Sequence, residues 1–412
     1  MNMPVGAFMP AKYADELSSI IKNYWMIQTA IDKLADYCIA QGFQGYDPYD
    51  TLNSPIPFRW FGKWGPPVAI QIQKRNPYHI RPFMGIKKGI NPKGAGLFLK
   101  AFCLLYRKIK NEKYLDQAKW LFNWLKQNYS KGYSGYAWGY NFDWASPGSY
   151  LKAYTPSVVV TSFVVDGIYE YYLLTGDPEA AASITSAAHY IEKDIPVTVF
   201  ETGIAYSYTH LQADCCYNAS LLAAEVLAKA DKVAGKMRYH ENIQKAANFV
   251  LSKQKPGGEW YYSMNLTSGE ERKQIDFHQG FVLVSLHNLA TLAGLQSPEM
   301  QTAIIKGLAY YRHYQFLENG QSLWRVPDKW PVEIHNQSQG IITFSRLQHF
   351  NPGYAAFAHQ IARYTLENMQ SEKGYFYYRK YAWYTNKIPF MRWAQAWMLL
   401  ALAEILETDE KD

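Results

Sequence analysis

The chain has 412 residues, 48% hydrophobic and 19% charged, so its charged share falls below the roughly 25% of ordinary soluble domains. That composition excludes a disordered, self-repelling chain. The balance of 42 basic against 35 acidic residues, a formal +7 with no dense Lys/Arg block, excludes a nucleic-acid footprint. The densest basic stretches, Lys87-Lys88 to Lys93 and Arg107-Lys108 to Lys113, read as solvated loop and helix faces. Aromatics make up 16%, and 34 of them are tyrosines. A tyrosine ring can be buried while its hydroxyl stays polar, so the surplus points to semi-polar cavity walls.

Residues 1–40 carry no basic region followed by an unbroken apolar stretch, because Asp15, Glu16, Lys22 and Asp32 interrupt the apolar positions. Ala14 to Ala40 reads instead as one amphipathic helix without a following partner. No apolar run is long enough to predict a bilayer crossing. Cys38, Cys103, Cys215 and Cys216 show neither CxxC spacing nor a disulfide ladder, which fits reduced thiols and a cytoplasmic setting. From Gln41 to Ala95 the chain belongs to no helix pair, and a segment of that length is expected to fold over a barrel mouth. It carries Gly45-Tyr46-Asp47-Pro48-Tyr49-Asp50.

From there the sequence repeats. Apolar, small-residue helices are expected around Leu97, Val160, Leu221, Leu283, Ile341 and Met398, about 60 residues apart. Each of the first five precedes a more charged amphipathic helix: Lys113 to Asn128, Pro178 to Lys193, Met237 to Lys253, Pro298 to Tyr314 and Tyr354 to Met369. The sixth, Arg392 to Leu406, ends without an outer partner, and the N-terminal helix lacks an inner one. Joining those two closes the ring. The expectation is an all-α (α/α)6 toroid of six helical hairpins, one domain over residues 1–412, with the N-terminal helix beside the C-terminal one. Before successive inner helices come aromatic ribbons: Tyr136 to Tyr140, Ala205 to Tyr208, Glu259 to Tyr262, Leu323 to Arg325 and Gly374 to Tyr378. They read as short β-ribbons at one end, where inner-helix N-termini add positive potential.

Candidate chemistry gathers at that end. His278 and His335 occupy equivalent positions in adjacent hairpins, and imidazole titrates near working pH. Asp47, Asp50 and Asp143 lie among aromatics, where desolvation can raise a carboxyl pKa, and Asp276 is a further acid/base candidate. Glu333 and Asp276 each precede a His by two residues and are also placed to cap a helix. Arg392 is a candidate clamp for a substrate carboxylate or phosphate, or an ion pair holding the last hairpin. Tyr46, Trp138, Tyr140, Tyr208, Trp260, Tyr262, Trp324 and Trp393, with Gln339 in the His335 cluster, suit the C–H faces and hydroxyls of pyranose rings. Asp214, Cys216 and His278 begin neighbouring inner helices and form a candidate zinc set.

The stretches Gly45-Tyr-Asp-Pro-Tyr-Asp50, Asn91-Pro-Lys93, Trp138-Gly-Tyr140 with Phe142-Asp143-Trp144, Ile275-Asp-Phe-His278 and Arg392-Trp393 with Ala396-Trp397 resemble a group of bacterial proteins associated with capsule and exopolysaccharide biosynthesis. At the level of fold the chain also resembles six-hairpin glycosidases, sugar 2-epimerases and the toroidal domain of glucuronyl C5-epimerases. The zinc candidates resemble the metal arrangement of protein prenyltransferase β-subunits, without that family's Gly-rich turns. Toroidal terpene cyclases are disfavoured because their Asp-Asp run is missing, and lanthionine cyclases because no Cys-His-Gly stretch occurs. The resemblance implies a protein of polysaccharide assembly that binds an anionic glycan or sugar precursor and associates with other assembly enzymes. The candidate residues themselves, rather than the resemblance, give the expectation of epimerase- or lyase-like acid/base chemistry without a cofactor. Hydrolysis by two carboxylates, zinc chemistry and glycan binding without turnover are the alternatives.

Overall fold

The computed structural model describes residues 11–146 and 149–408. In chain order, α1 (Ala11–Ala40) leads through short 3-10 turns to α2 (Gly65–Arg75), and the first hairpin is α3 (Pro92–Ile109) with α4 (Glu112–Gln127). A ribbon of β1 (Trp144–Ser146) and β2 (Ser149–Leu151) leads to α5 (Val158–Thr175) and α6 (Pro178–Asp194). Next come β3 (Val197–Phe200), β4 (Gly203–Tyr206) and β5 (Cys215–Cys216), then α7 (Tyr217–Ala234) and α8 (His240–Leu251). The fourth hairpin, α9 (His278–Leu292) and α10 (Pro298–Gln315), follows β6 (Ser263–Met264) and β7 (Glu271–Arg272). After β8 (Val332–Glu333) run α11 (Ile334–Arg346) and α12 (Gly353–Met369), then β9 (Arg379–Lys380), β10 (Thr385–Asn386) and α13 (Trp397–Thr408).

Local chemistry explains the hairpins. Asn91, Ser157 and Ser297 accept main-chain N–H groups at the starts of α3, α5 and α10, and Gly176 ends α5 in the left-handed conformation at φ 67°. The six inner helices, α3, α5, α7, α9, α11 and α13, pack side by side, and α13 returns to α3, which closes the (α/α)6 toroid. Close approach depends on small residues: a Cβ on Gly167 of α5 would stand 2.3 Å from the Gly96 oxygen of α3.

Two repeated devices hold the ribbons. The residue that opens each ribbon onto its inner helix donates its N–H to a side-chain oxygen in that helix's first turns. The pairs are Trp138 to Thr161, Tyr206 to Ser220, Trp260 to Gln279, Ser322 to Gln337 and Phe376 to Gln395, at 2.6–3.1 Å. Each ribbon also crosses the next outer helix at a glycine. A Cβ on Gly135, Gly203, Gly258, Gly320 or Gly374 would come within 1.9–2.7 Å of a main-chain oxygen of α6, α8, α10, α12 or α1 respectively. The last case shows α1 standing in the sixth outer position. Gln370 repeats there, on the Ala30 and Gly374 oxygens, what Gln254 does on those of Ala303 and Gly258. Most pairing is carried by residues flanking the aromatic stretches. Of those stretches only Ala205-Tyr206 lies in a regular strand, and Gly139, Arg325 and Phe376 form single bridges.

Toward the C-terminal ends of the inner helices, a buried charged belt takes a side chain from all six. Lys100 pairs with Asp166 at 2.6 Å and Lys229 with Asp166 at 2.9 Å and Glu225 at 3.1 Å. Ser285 and Asn288 donate to Glu225, and Arg346 meets Glu404 at 2.6 Å. Burial works to raise the Asp166 carboxyl, but Lys100 and Lys229 outweigh it and hold it far below the usual range. By length and composition α5 would cross a membrane. In the fold it is an inner helix between α3 and α7.

The segment before α3 lies across the other end. Its Asp47 meets Arg392, Asn53 donates to the Asn141 oxygen, and Asn386 donates to the Asn76 oxygen. Within it Arg81 is fully buried against Asp50 at 2.7 Å, and burial raises the Asp50 carboxyl to about 6 against the pull of Arg81.

Candidate active site

At the ribbon end, the N-termini of the inner helices surround a well that is packed with side chains and has an aromatic floor. Phe163, Phe281 and Trp397, from α5, α9 and α13, stand with ring centroids 5.1–5.5 Å apart. Two nitrogen-bearing side chains rest on this floor. Lys93, 4% exposed, holds its ammonium 4.2 Å from the Phe163 centroid and 5.3 Å from that of Trp397, with no carboxylate in pairing distance among the described residues. Burial, then the Arg392 guanidinium, pushes this ammonium well below its ordinary pKa. His335, 1% exposed, lies 4.5 Å from Trp397, and neither ring nitrogen has a hydrogen-bond partner among the described residues. Burial, then Lys93 and Arg392, holds His335 neutral by pushing its pKa well below 6.5. Trp397 Nε1 and Gln339 Oε1 are likewise buried and unpaired.

Phe277 joins the two histidines. Its ring stacks on His335 at 4.1 Å and on His278 at 4.3 Å, one imidazole on each face. His278 is the outer one, with 18% of its side chain exposed. Its Nδ1 meets Asp276 Oδ1 at 2.5 Å, which fixes the ring and presents Nε2. Burial works to raise the Asp276 carboxyl, but the His278 imidazole and N–H, with Gln274, hold it below the usual value. Trp393 stands edge-on to His335 at 4.7 Å and donates its indole N–H to Glu333 at 2.7 Å. Arg392 and Trp393 sit in a π-helical stretch, Met391–Ala396, that displaces the start of α13.

One group here, Lys74, carries no sequence spacing that reveals it. Lys74, at the end of α2, bonds the Tyr49 hydroxyl, and its ammonium is 5.8 Å from the Trp393 ring. Burial lowers Lys74 to about 8 against the pull of Glu333. Glu333 is 1% exposed and keeps Oε2 without a partner, while Arg379 approaches Oε1 at 3.4 Å. Tyr262 stands edge-on to His278 at 4.7 Å, and Tyr140 and Tyr208 share a hydroxyl hydrogen bond in the adjacent wall.

Other expected site residues have different work. Asp47 and Arg392 occupy each other through two bonds of 2.6 and 2.7 Å, both nearly buried, so neither is a free acid or anion clamp. Asp143 is held by Tyr150 and the Ala153 N–H, which organises the β1–β2 turn. Trp138 and Trp260 are fully buried, their indole N–H groups spent on the Leu125 and Val250 oxygens at the ends of α4 and α8. They cap outer helices and face no cavity. Tyr46 packs edge-on to His79, and Gln339 lies below the floor, where it bonds Thr343. The zinc set does not assemble. Cys216 bonds Asn218, burial raises its thiol to about 12, Asp214 accepts the Tyr208 N–H, and His278 belongs to Asp276. Among the described residues no three or more His, Cys, Asp or Glu side chains are grouped to hold a metal.

No family model matches the chain, and no curated protein does. Solved structures share its architecture. Cellobiose 2-epimerase from Bacillus thermoamylovorans B4167 superposes with a TM-score of 0.61 at 16% identity, over 77% of this chain and 88% of that one. An unsaturated glucuronyl hydrolase specific for heparin gives 0.60 at 13% identity, over 95% and 98%. A D-mannose isomerase gives 0.58 at 14% identity, over 77% and 87%. At these identities the likeness establishes the α/α-toroid fold.

Proposed function

We propose that this protein is a carbohydrate-modifying enzyme that moves protons through His278 and His335 at the aromatic end of the toroid. The observation that carries the reading is the pair of imidazoles on the two faces of Phe277, in a well whose expected carboxylates are already engaged. Asp276 keeps the His278 proton on Nδ1, so Nε2 accepts or returns a proton at the mouth. His335 is held neutral by burial and serves as the second proton carrier from a different direction. Abstraction of a C–H proton beside a carbonyl or carboxylate, and its return from the other side, inverts that carbon; expulsion of a neighbouring substituent gives a lyase. Hydrolysis needs two carboxylates facing one bond. Here Asp47, Asp143 and Asp276 are bound to Arg392, Tyr150 and His278, which leaves a single Glu333 oxygen.

The sugar-processing proteins that share this fold support a carbohydrate substrate, although fold alone does not assign one. On the motif resemblance, the setting we propose is bacterial polysaccharide assembly on the cytoplasmic side, in the company of other assembly enzymes. The test is proton exchange. The protein is incubated in D2O with neutral and uronic-acid oligosaccharides, and deuterium at sugar carbons is read by NMR. His278→Asn with His335→Asn should abolish exchange and leave glycan affinity within a few-fold. Exchange or turnover unaffected by the double substitution rejects the reading, and glycan binding without any exchange selects the non-catalytic alternative.

A further inference from the structure

We propose that the outward face of residues 56–83, beside the mouth, is a docking surface for an anionic lipid bilayer. This stands on observations independent of the catalytic reading. Between Thr51 and Asn111 the chain contains no Asp or Glu, and residues 51–91 hold seven Lys and Arg, equal to the formal net charge of +7 of the whole chain. The basic surplus is therefore concentrated in the segment that lies across the mouth.

The same segment also exposes large apolar side chains. α2 already buries an inward face through Pro66, Pro67 and Ile70. On the other side Trp64, Val68 and Ile72, four residues apart, are 56%, 48% and 65% exposed. Trp60, Phe61 and Phe83 are 85%, 74% and 90% exposed. A soluble surface tolerates scattered apolar residues, but a cluster of this size marks an interaction face. Arg59, Lys63, Arg75, Lys87 and Lys88 are exposed on the same segment. Aromatic and aliphatic side chains interspersed with cations, and no acid among them, match the boundary between acyl chains and anionic headgroups. An acidic polysaccharide would satisfy the cations and stack on the tryptophans, but it has nothing to offer Val68 and Ile72. A second copy would bring the same five exposed cations against themselves. Docking here would turn the well toward glycans carried on lipid.

The test uses the full chain and sedimentation with vesicles of phosphatidylcholine, alone and mixed with phosphatidylglycerol. The protein should pellet with the mixed vesicles, weakly or not at all with neutral ones, and less as salt rises. Phe61→Ser/Trp64→Ser/Phe83→Ser and Lys63→Glu/Lys87→Glu/Lys88→Glu should each lower the partition coefficient more than about tenfold, since one surface cation alone contributes about fivefold. Thermal melts check the fold of both variants, whose substituted side chains are exposed. Equal binding to both vesicle types, no binding to either, or full binding by the charge-reversed variant overturns the proposal. So does a dimer in light scattering that the serine variant dissolves in the absence of vesicle binding. Retardation by polygalacturonate without vesicle binding also overturns it, in favour of a glycan.

Discussion

His335→Phe should make the protein more stable and inactive. In the native fold the imidazole is 1% exposed, wedged between Phe277 at 4.1 Å and Trp397 at 4.5 Å, with both nitrogens unpaired. A buried polar group without a partner costs about 1–3 kcal/mol. A phenyl ring removes that cost and stacks in the same slot, at the expense of about 1 kcal/mol of overpacking. The net gain at pH 7 is thus about 1 kcal/mol. The gain grows in acid. Burial pushes the His335 pKa well below its unfolded value, so between those two values the unfolded chain binds the proton and the folded one does not. Native stability is therefore lost as pH falls below about 6.5, at up to about 1.4 kcal/mol per pH unit until the folded value is reached. Melting temperatures of the two proteins from pH 8 to pH 5 read this directly, at roughly 1–2 °C per kcal/mol for a chain of this length. The difference should widen toward acid while deuterium exchange into sugar falls at least 100-fold, a typical loss for a general acid or base. A variant that is less stable than the parent by the same margin at every pH would refute the unpaired, neutral imidazole. Retained exchange would remove His335 from the chemistry.

Arg392→Met leaves the Asp47 carboxylate buried without its partner and should cost about 3–5 kcal/mol, whereas Asp47→Leu combined with Arg392→Met should cost less than the single change; an unaltered melting temperature with lost sugar binding would restore Arg392 as an anion contact. Gly374→Ala sets a Cβ 2.4 Å from the Lys33 oxygen at φ 91° and should cost more than about 3 kcal/mol, against about 1 kcal/mol for Gly235→Ala, where nothing lies within 4 Å. Equal melting temperatures for the two would deny that α1 completes the ring. Lys93→Met removes a buried ammonium that lacks a counter-charge and should raise stability at pH 7 while weakening any uronic-acid substrate relative to its neutral analogue; a parallel loss for both sugars would show that Lys93 serves only to shape the well. Asp276→Asn should lower turnover about 100-fold or more with little change in glycan affinity, because it frees the His278 ring to take the wrong tautomer; a KM effect alone would make Asp276 a structural cap.

The helix pairs were legible because each states itself locally as a run of small and apolar residues followed by an amphipathic partner, with a capping residue before α3 and α5 and a left-handed stop after α3, α5 and α7. Closure was legible in the two unpaired halves at the chain ends. The two histidines, expected at equivalent places, are one residue out of register: counted from Gln279 and Gln337, which take the same ribbon N–H, His278 matches Asn336 and His335 matches Phe277. What spacing does not encode is which charged groups meet across the ring. Asp47 and Arg392 are 345 positions apart, and nothing near either one reveals that each occupies the other. Trp138 and Trp260 mislead in a second way, since an indole suits both a sugar face and the end of a helix, and only burial separates the two. Lys93 lay in a basic stretch read as solvated surface, and Lys74 in a segment read only as a cover for the barrel mouth. Their burial comes from the fold of the covering segment, whose path over the well has no periodicity.

The aromatic floor has one more consequence. With Phe163, Phe281 and Trp397 5.1–5.5 Å from one another, and the charged belt behind them, the three rings close the toroid along its axis. A polymer cannot be threaded through and worked on at successive internal units. For a glycan-modifying protein that geometry dictates attack at a chain terminus or on a short precursor. One molecule must back out before the next comes in, so each turnover ends in full release, and end-labelled oligosaccharides should show a single altered terminal unit at early times.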